Sequence, residues 1–177
     1  MKTNTFEIRG AEISDAQNLL EIYSYYVQNT AISFEYEVPT LEEFKSRIER
    51  IKKKYPYICI VEDGKIAGYA YANTFKERAA YKHCVELTIY IAKDKHKKGY
   101  GRALYEELEA RLKKIGILNA YACIAVTKNE DEYLTNNSEQ FHAHLGFQKC
   151  GEFTKCGSKF GRWYDMICME KMLGSHD

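Results

Sequence analysis

The stretch Lys93-Asp94-Lys95-His96-Lys97-Lys98-Gly99-Tyr100-Gly101-Arg102 joins two segments of different period. Before it, Val85-Glu86-Leu87-Thr88-Ile89-Tyr90-Ile91 alternates apolar with polar or amphipathic positions, the period of a strand. After it, Leu104, Leu108, Leu112 and Ile115 recur at helical spacing, and Gly116 ends the run. A strand that turns into a helix aims the helix's unpaired N–H groups and the positive end of its dipole at the turn. Gly99 and Gly101 carry no side chains that would keep a ligand from the backbone. Four lysines and one arginine crowd this helix start, where each cation is disfavoured by about 0.3–1 kcal/mol. A polyanion resting on the turn removes that conflict, so the segment reads as an anion site.

Outward from the turn, the chain alternates strands and helices. Phe6 to Arg9 reads as a strand. Ser14 with Gln17 forms a capping-box pattern ahead of a helix bearing Ala16, Leu19, Leu20, Tyr23, Tyr26 and Val27 on one face. Thr40 with Glu43 opens a second helix, whose face is Leu41, Phe44, Ile48 and Ile51. Tyr57 to Glu62 and Lys65 to Asn73 are strands joined by a tight Asp63-Gly64 turn. Ala120 to Val126 is a strand, Asn137 to Leu145 a short helix stopped by Gly146, and Phe147 to Phe153 and Trp163 to Met172 are the last strands. The order β-α-α-β-β-β-α-β-α-β-β gives a mixed α/β layer protein.

The 177 residues fit one domain, 1–177, with a core of about 6–172. Lys plus Arg number 26 and Asp plus Glu 25, a net charge of +1 that argues against bulk nucleic-acid or membrane binding. No apolar run reaches membrane-spanning length. The six cysteines are scattered without metal-ligand or disulfide spacing, which points to reduced thiols in a cytoplasmic protein and to no metal. Fifteen tyrosines are the one compositional oddity, and they imply surfaces where a ring packs while a hydroxyl stays wet.

The turn His96-Lys97-Lys98-Gly99-Tyr100-Gly101 resembles the Q/R-x-x-G-x-G/A turn of the GNAT superfamily of N-acetyltransferases, with His96 in place of Gln or Arg. Asn137-Ser138-Glu139-Gln140-Phe141-His142-Ala143-His144-Leu145-Gly146-Phe147 is similar to the short Gly-Phe-ended helix of that family. Tyr81 through Ile91, with Asn29 to Thr40, Phe75 to Tyr81 and Lys159 to Asp165, resemble its phosphinothricin and methionine sulfoximine acetyltransferase branch. The resemblance implies a single-domain acyl-CoA N-acyltransferase fold, a mixed, mostly antiparallel sheet flanked by helices. It implies acetyl-CoA as co-substrate, held by the Ile89-Tyr90-Ile91 strand end, by His96, Lys97, Lys98, Gly99, Tyr100, Gly101 and Arg102, and by Asn136, Asn137 and Ser138. It further implies a small amino-acid acceptor and a homodimer.

Period two places Glu86 on one face of a central strand with Thr88 and Tyr90. Such strands are covered on both faces, and a covered carboxylate must be paired or functional. The resemblance makes Glu86 the base toward the amine and His142 a group for proton transfer or orientation. His144, about 200° further round the helix, faces away. Arg78 and Lys76 precede the strand, and a guanidinium suits a substrate carboxylate. Phe34 and Tyr81 complete the expected acceptor pocket. Cys84 and Cys123, in an apolar setting, are expected to be inert. The alternatives are acetylation of another small amine or of a peptide or protein amine, and a CoA-binding protein without turnover.

Overall fold

Seven strands and four helices are formed among residues 6–176, the residues that the computed structural model describes. The strands are β1 (Phe6–Gly10), β2 (Tyr57–Glu62), β3 (Lys65–Thr74), β4 (Cys84–Ile91), β5 (Asn119–Val126), β6 (Gln148–Lys159) and β7 (Arg162–Met172). The helices are α1 (Ala16–Asn29), α2 (Leu41–Lys52), α3 (Tyr100–Lys114) and α4 (Asn137–His144). One sheet runs β1-β2-β3-β4-β5-β7-β6, and every pairing is antiparallel except β4 with β5. The element order is the one that the sequence pattern gives, and β4 is central.

Each face of the sheet has its own core. On one, Leu104, Leu108 and Leu112 of α3 pack fully buried against Ile58, Ile60, Val85 and Leu87, each leucine worth about 1.5–3 kcal/mol of burial. On the other, Leu19, Tyr23 and Val27 of α1 and Phe44 and Ile48 of α2 cover Tyr57, Cys59 and Tyr69. Asp63 (φ 50°) and Gly64 (φ 74°) are both left-handed, as the tight β2–β3 hairpin requires.

Thr40 caps α2, its hydroxyl accepting from the Glu43 amide at 3.2 Å. The Ser14–Gln17 box is not formed. The reciprocal box is Glu12 with Asp15, at the single 3-10 turn before α1. Asp15 is drawn there by Arg9, which grips its carboxylate at 2.7 and 2.9 Å.

The feature that positions the site is a split in the sheet. β4 and β5 pair only at Cys84–Asn119, Val85–Ala120 and Glu86–Tyr121. Beyond Glu86 the two strands part, and a cleft opens between them.

Candidate active site

The split is a cavity of about 230 Å³. Glu86, Thr88, Ile89 and Tyr90 form its β4 side, and Ala122 to Ala125 its β5 side. Tyr105 of α3 and Ser138 and His142 of α4 line it from one face of the sheet. Ile32, Ser33 and Phe34 of the α1–α2 loop line it from the other. Two reactants can therefore meet in the split from opposite faces.

Glu86 is on the α1–α2 face, as period two requires. Burial raises its pKa above the usual carboxylate range, while a hydrogen bond with Cys123 and the Lys76 charge pull it part of the way back. A carboxyl shifted this way is a better match to an amine proton near neutral pH. Cys123 stands beside it, with Sγ 3.7 Å from Cys168 Sγ. Burial first, then the Glu86 charge, pushes the Cys123 thiol up to about 12, so it stays protonated and is a poor nucleophile.

His142 lies buried on the opposite face. Its Nδ1 is 2.7 Å from the Ser138 carbonyl, which only accepts, so Nδ1 carries the proton. Nε2, 3.0 Å from the Tyr105 hydroxyl, then accepts from it. Burial lowers the His142 pKa and keeps the ring neutral. The resemblance offers His142 for proton transfer or orientation, and in the structure its neutral ring has no free N–H to give. The proton-bearing group on this wall is Tyr105, which sequence reasoning missed because it sits among the apolar positions of α3. Burial raises its pKa, so it remains a donor.

At the glycine turn, Lys97 (φ 62°) and Gly99 (φ 82°) are left-handed, folding the backbone into the start of α3. The two glycines serve different ends. A Cβ on Gly99 would meet open space, so its backbone angle is the constraint. A Cβ on Gly101 would come within 2.9 Å of the Phe141 ring, so α4 packs where Gly101 leaves room.

The lysine crowding has a partial internal answer. Glu62 is buried, and its carboxylate takes Lys95 Nζ at 2.6 Å, Lys98 Nζ at 3.2 Å and the Tyr100 hydroxyl. The Lys95 bond above all, then that of Tyr100, holds the Glu62 carboxyl down to about 2. Lys98 and Lys95 are thus partly neutralised from within, and the buried Tyr100 anchors the turn. Lys97 and Arg102 are exposed and make no hydrogen bond or ion pair with the described residues.

Other expected cofactor residues are otherwise engaged. His96 Nε2 is 2.9 Å from the Tyr26 hydroxyl and 3.2 Å from the Ile91 carbonyl, and the same hydroxyl donates to Ile91 O. The exposed imidazole thus also ties the turn to α1. The Asn136 side chain bonds both Thr127 N (3.1 Å) and Thr127 O (3.0 Å), stapling the loop that precedes α4. Asn137 is exposed at the head of α4, and His144 is exposed and away from the cleft.

Of the expected acceptor residues, Phe34 lines the cleft and Lys76 is near enough to act on Glu86. Arg78 and Tyr81 are exposed on the adjoining loop and are not among the residues of the cleft wall. The loop bearing Phe34 is held by Lys159, a buried ammonium on three carbonyls at the end of α1 and just beyond it.

A family model described as an acetyltransferase (GNAT) domain matches residues 8–168. The chain belongs to the GNAT acetyltransferases. It is 32% identical over 171 residues to a phosphinothricin N-acetyltransferase of Alcaligenes faecalis, covering 96% of this chain and 84% of that one. It is 27% identical to an L-methionine sulfoximine/L-methionine sulfone acetyltransferase of Salmonella typhimurium, covering 96% of this chain and 95% of the other. Among solved structures, a GNAT superfamily phosphinothricin acetyltransferase from Sinorhizobium meliloti in complex with acetyl-CoA superposes with a TM-score of 0.87 at 33% identity, covering 96% and 89%. This GNAT chain is an N-acetyltransferase.

Proposed function

We propose that the protein transfers the acetyl group of acetyl-CoA to the amino group of a small amino acid or analogue, by direct attack on the thioester. The observation that carries this reading is the placement of Glu86 and the Tyr105–His142 pair on opposite faces of one split strand pair. Glu86 takes the amine proton on the α1–α2 side. The Tyr105 hydroxyl meets the departing sulfur on the α3 side, and its one hydrogen, given to His142 Nε2 in the free enzyme, turns to that sulfur as it leaves. β4 has no strand partner towards β5 beyond Glu86, so backbone N–H groups near Ile89 are free to receive the oxyanion. Lys97, Arg102 and the amides of the Gly99 turn face the pyrophosphate, with Asn137 and Ser138 at the second helix start.

The acceptor class rests on the relatives named for phosphinothricin and methionine sulfoximine, and on the cations Lys76 and Arg78 beside the Glu86 strand. A carboxylate moved into a closed pocket needs such a partner. The same reading takes the enzyme as cytoplasmic, in keeping with its scattered free thiols. It also takes the enzyme as a homodimer, with the exposed Tyr36, Phe153 and Trp163 as an aromatic contact surface.

The deciding assay is release of free thiol from acetyl-CoA across matched amino acids and their decarboxylated amines. Preference for the amino acids, reduced in Arg78→Ala, supports the reading. Preference for the bare amines would assign the enzyme to another acceptor class.

A further inference from the structure

Scattered along the chain, three of the cysteines come together on β5, β6 and β7. Cys123 of β5 and Cys168 of β7 are register partners on antiparallel strands, and their Sγ atoms are 3.7 Å apart. Residues directly opposite in such a pair have Cα atoms about 4.5–5.5 Å apart, inside the roughly 4.4–6.8 Å that a disulfide spans. Cys123 is exposed and Cys168 half-buried, so a small oxidant can reach both. Cys150, at the register shift of β6, is engaged differently: its thiol donates to the Cys168 carbonyl at 3.3 Å.

Position ties this pair to the chemistry. Cys123 lines the catalytic cleft, and Cys168 stands behind it, outside the cleft wall. The Cys123 thiol is a hydrogen-bond partner of Glu86, and a donor to a carboxylate favours its ionised form. The other titratable groups around Glu86 are Lys76 of the β3–β4 loop, Tyr71 of β3, Tyr121 of β5 and Tyr105 of α3. The α1–α2 loop adds Ile32, Ser33 and Phe34 to the cleft wall, none of them titratable. Burial keeps the three tyrosines protonated. Lys76 and Cys123 are therefore the groups that support the Glu86 charge, and Cys123 has a second thiol at hand to bond with.

We propose that Cys123 and Cys168 are a modification site, closed into a disulfide by a peroxide, and that closure takes the thiol hydrogen bond away from Glu86. Cys123 keeps its proton beside the Glu86 charge, so Cys168 is the sulfur that attacks first. Its thiolate breaks the O–O bond of hydrogen peroxide, leaving a sulfenic acid and a hydroxide that takes up the proton shed by Cys168. The Cys123 sulfur then displaces the sulfenic oxygen. The S–S bond forms, the S–O bond breaks, and the Cys123 proton passes through Glu86 to the departing hydroxide. Two thiols and one peroxide become one disulfide and two waters. In a reducing compartment such a bond is transient, which suits a sensor of oxidant. The disulfide stands apart from the acetyl-transfer reading, while its effect on the rate rests on Glu86 acting there as base.

The test treats the purified enzyme with hydrogen peroxide, removes the oxidant by desalting, and maps the peptides without reduction. The expected product is a peptide joined through Cys123 and Cys168 of one chain. The acetylation rate, followed by loss of the thioester absorbance, should fall about two- to tenfold on the acid limb of the pH profile, the worth of one neutral donor. It should hold at high pH, where Glu86 is ionised in either state, and dithiothreitol should restore the limb. Cys123→Ala should show the shifted limb without oxidant. Cys168→Ala should keep the wild-type limb and lose the response to peroxide. A bond through Cys150 or Cys156, a cross-link between chains, or sulfinic acid in place of a bond overturns the pair. A Cys123–Cys168 bond that leaves the acid limb in place overturns the link to Glu86. An enzyme that acetylates no amine contradicts the acetyl-transfer reading instead, and the peptide map, which needs no turnover, still decides the pair.

Discussion

Replacing Lys159 by methionine keeps most of the stem's bulk and removes one ammonium, leaving three carbonyls without their donor. Nζ lies 2.7 Å from Val27 O, 2.8 Å from Thr30 O and 2.7 Å from Ser33 O. The Val27 carbonyl, in the last turn of α1, has no internal donor, because the Ala31 amide that would have served it bonds the Tyr133 carbonyl. Each buried acceptor stripped of its partner costs about 1–3 kcal/mol. Against that stands the desolvation of the ammonium, several kcal/mol in general, whose sign is visible in the lowered Lys159 pKa. The balance expected is a loss of about 2–4 kcal/mol, a fall in Tm of roughly 5–15 °C for a chain of this length. Urea unfolding with an unchanged m-value measures it. A second readout ties the loss to function. The clamped loop carries Ile32, Ser33 and Phe34 into the cleft, so KM for the acceptor should rise more than KM for acetyl-CoA. A variant within about 0.5 kcal/mol of wild type, with unaltered acceptor KM, would show that water serves these carbonyls as well as Lys159 does and that the clamp holds neither the fold nor the pocket.

Glu86→Gln should lower kcat/KM by about 10²–10⁴, the usual worth of a positioned base. In the wild type, kcat/KM should climb with pH through a Glu86 pKa above the ordinary carboxylate range, because the base works only when ionised. That acid limb should vanish in the variant, and an unaltered limb would assign it to another group. Tyr105→Phe and His142→Ala should lower kcat by similar factors, and the double variant by little more than either alone, as for two parts of one device; fully multiplicative losses would separate them. Glu62→Gln should weaken acetyl-CoA binding by calorimetry, since it frees Lys95 and Lys98 from their anchor. The Glu62 pKa is depressed to about 2, so its stabilisation is present above the ordinary carboxylate pKa and is lost as pH falls towards 2. The acid slope of stability should therefore flatten in the variant. Equal acid slopes would mean that the cluster forms equally well without charge.

The elements and their order are legible along the chain alone, because period two and period 3.6 are local properties. The Asp63-Gly64 turn, the β4 alternation that sends Glu86 to one face, and the strand–glycine–helix passage at Gly99 all follow from nearest neighbours along the chain. What it could not show was where chain-distant groups meet. Glu62 lies 33 residues before Lys95, and nothing near either residue reveals that the lysine crowding is partly answered from inside. Along the chain His96 reads as a cofactor residue, and only the tertiary structure sets the Tyr26 hydroxyl of α1 2.9 Å from its Nε2. Ser14 and Gln17 have the spacing of a box, but Arg9 draws Asp15 into one with Glu12. Tyr105 reads as one more ring on an apolar helix face, and only the packing of α4 across Gly101 brings His142 to its hydroxyl. The cleft itself is a tertiary fact. β4 and β5 are both good strands in sequence, and that they part after Glu86 is decided by what each pairs with elsewhere, β3 along the whole of β4's upper length and β7 along all of β5. Local periodicity fixes which face a side chain takes, and only the competition among long-range pairings fixes what stands opposite it.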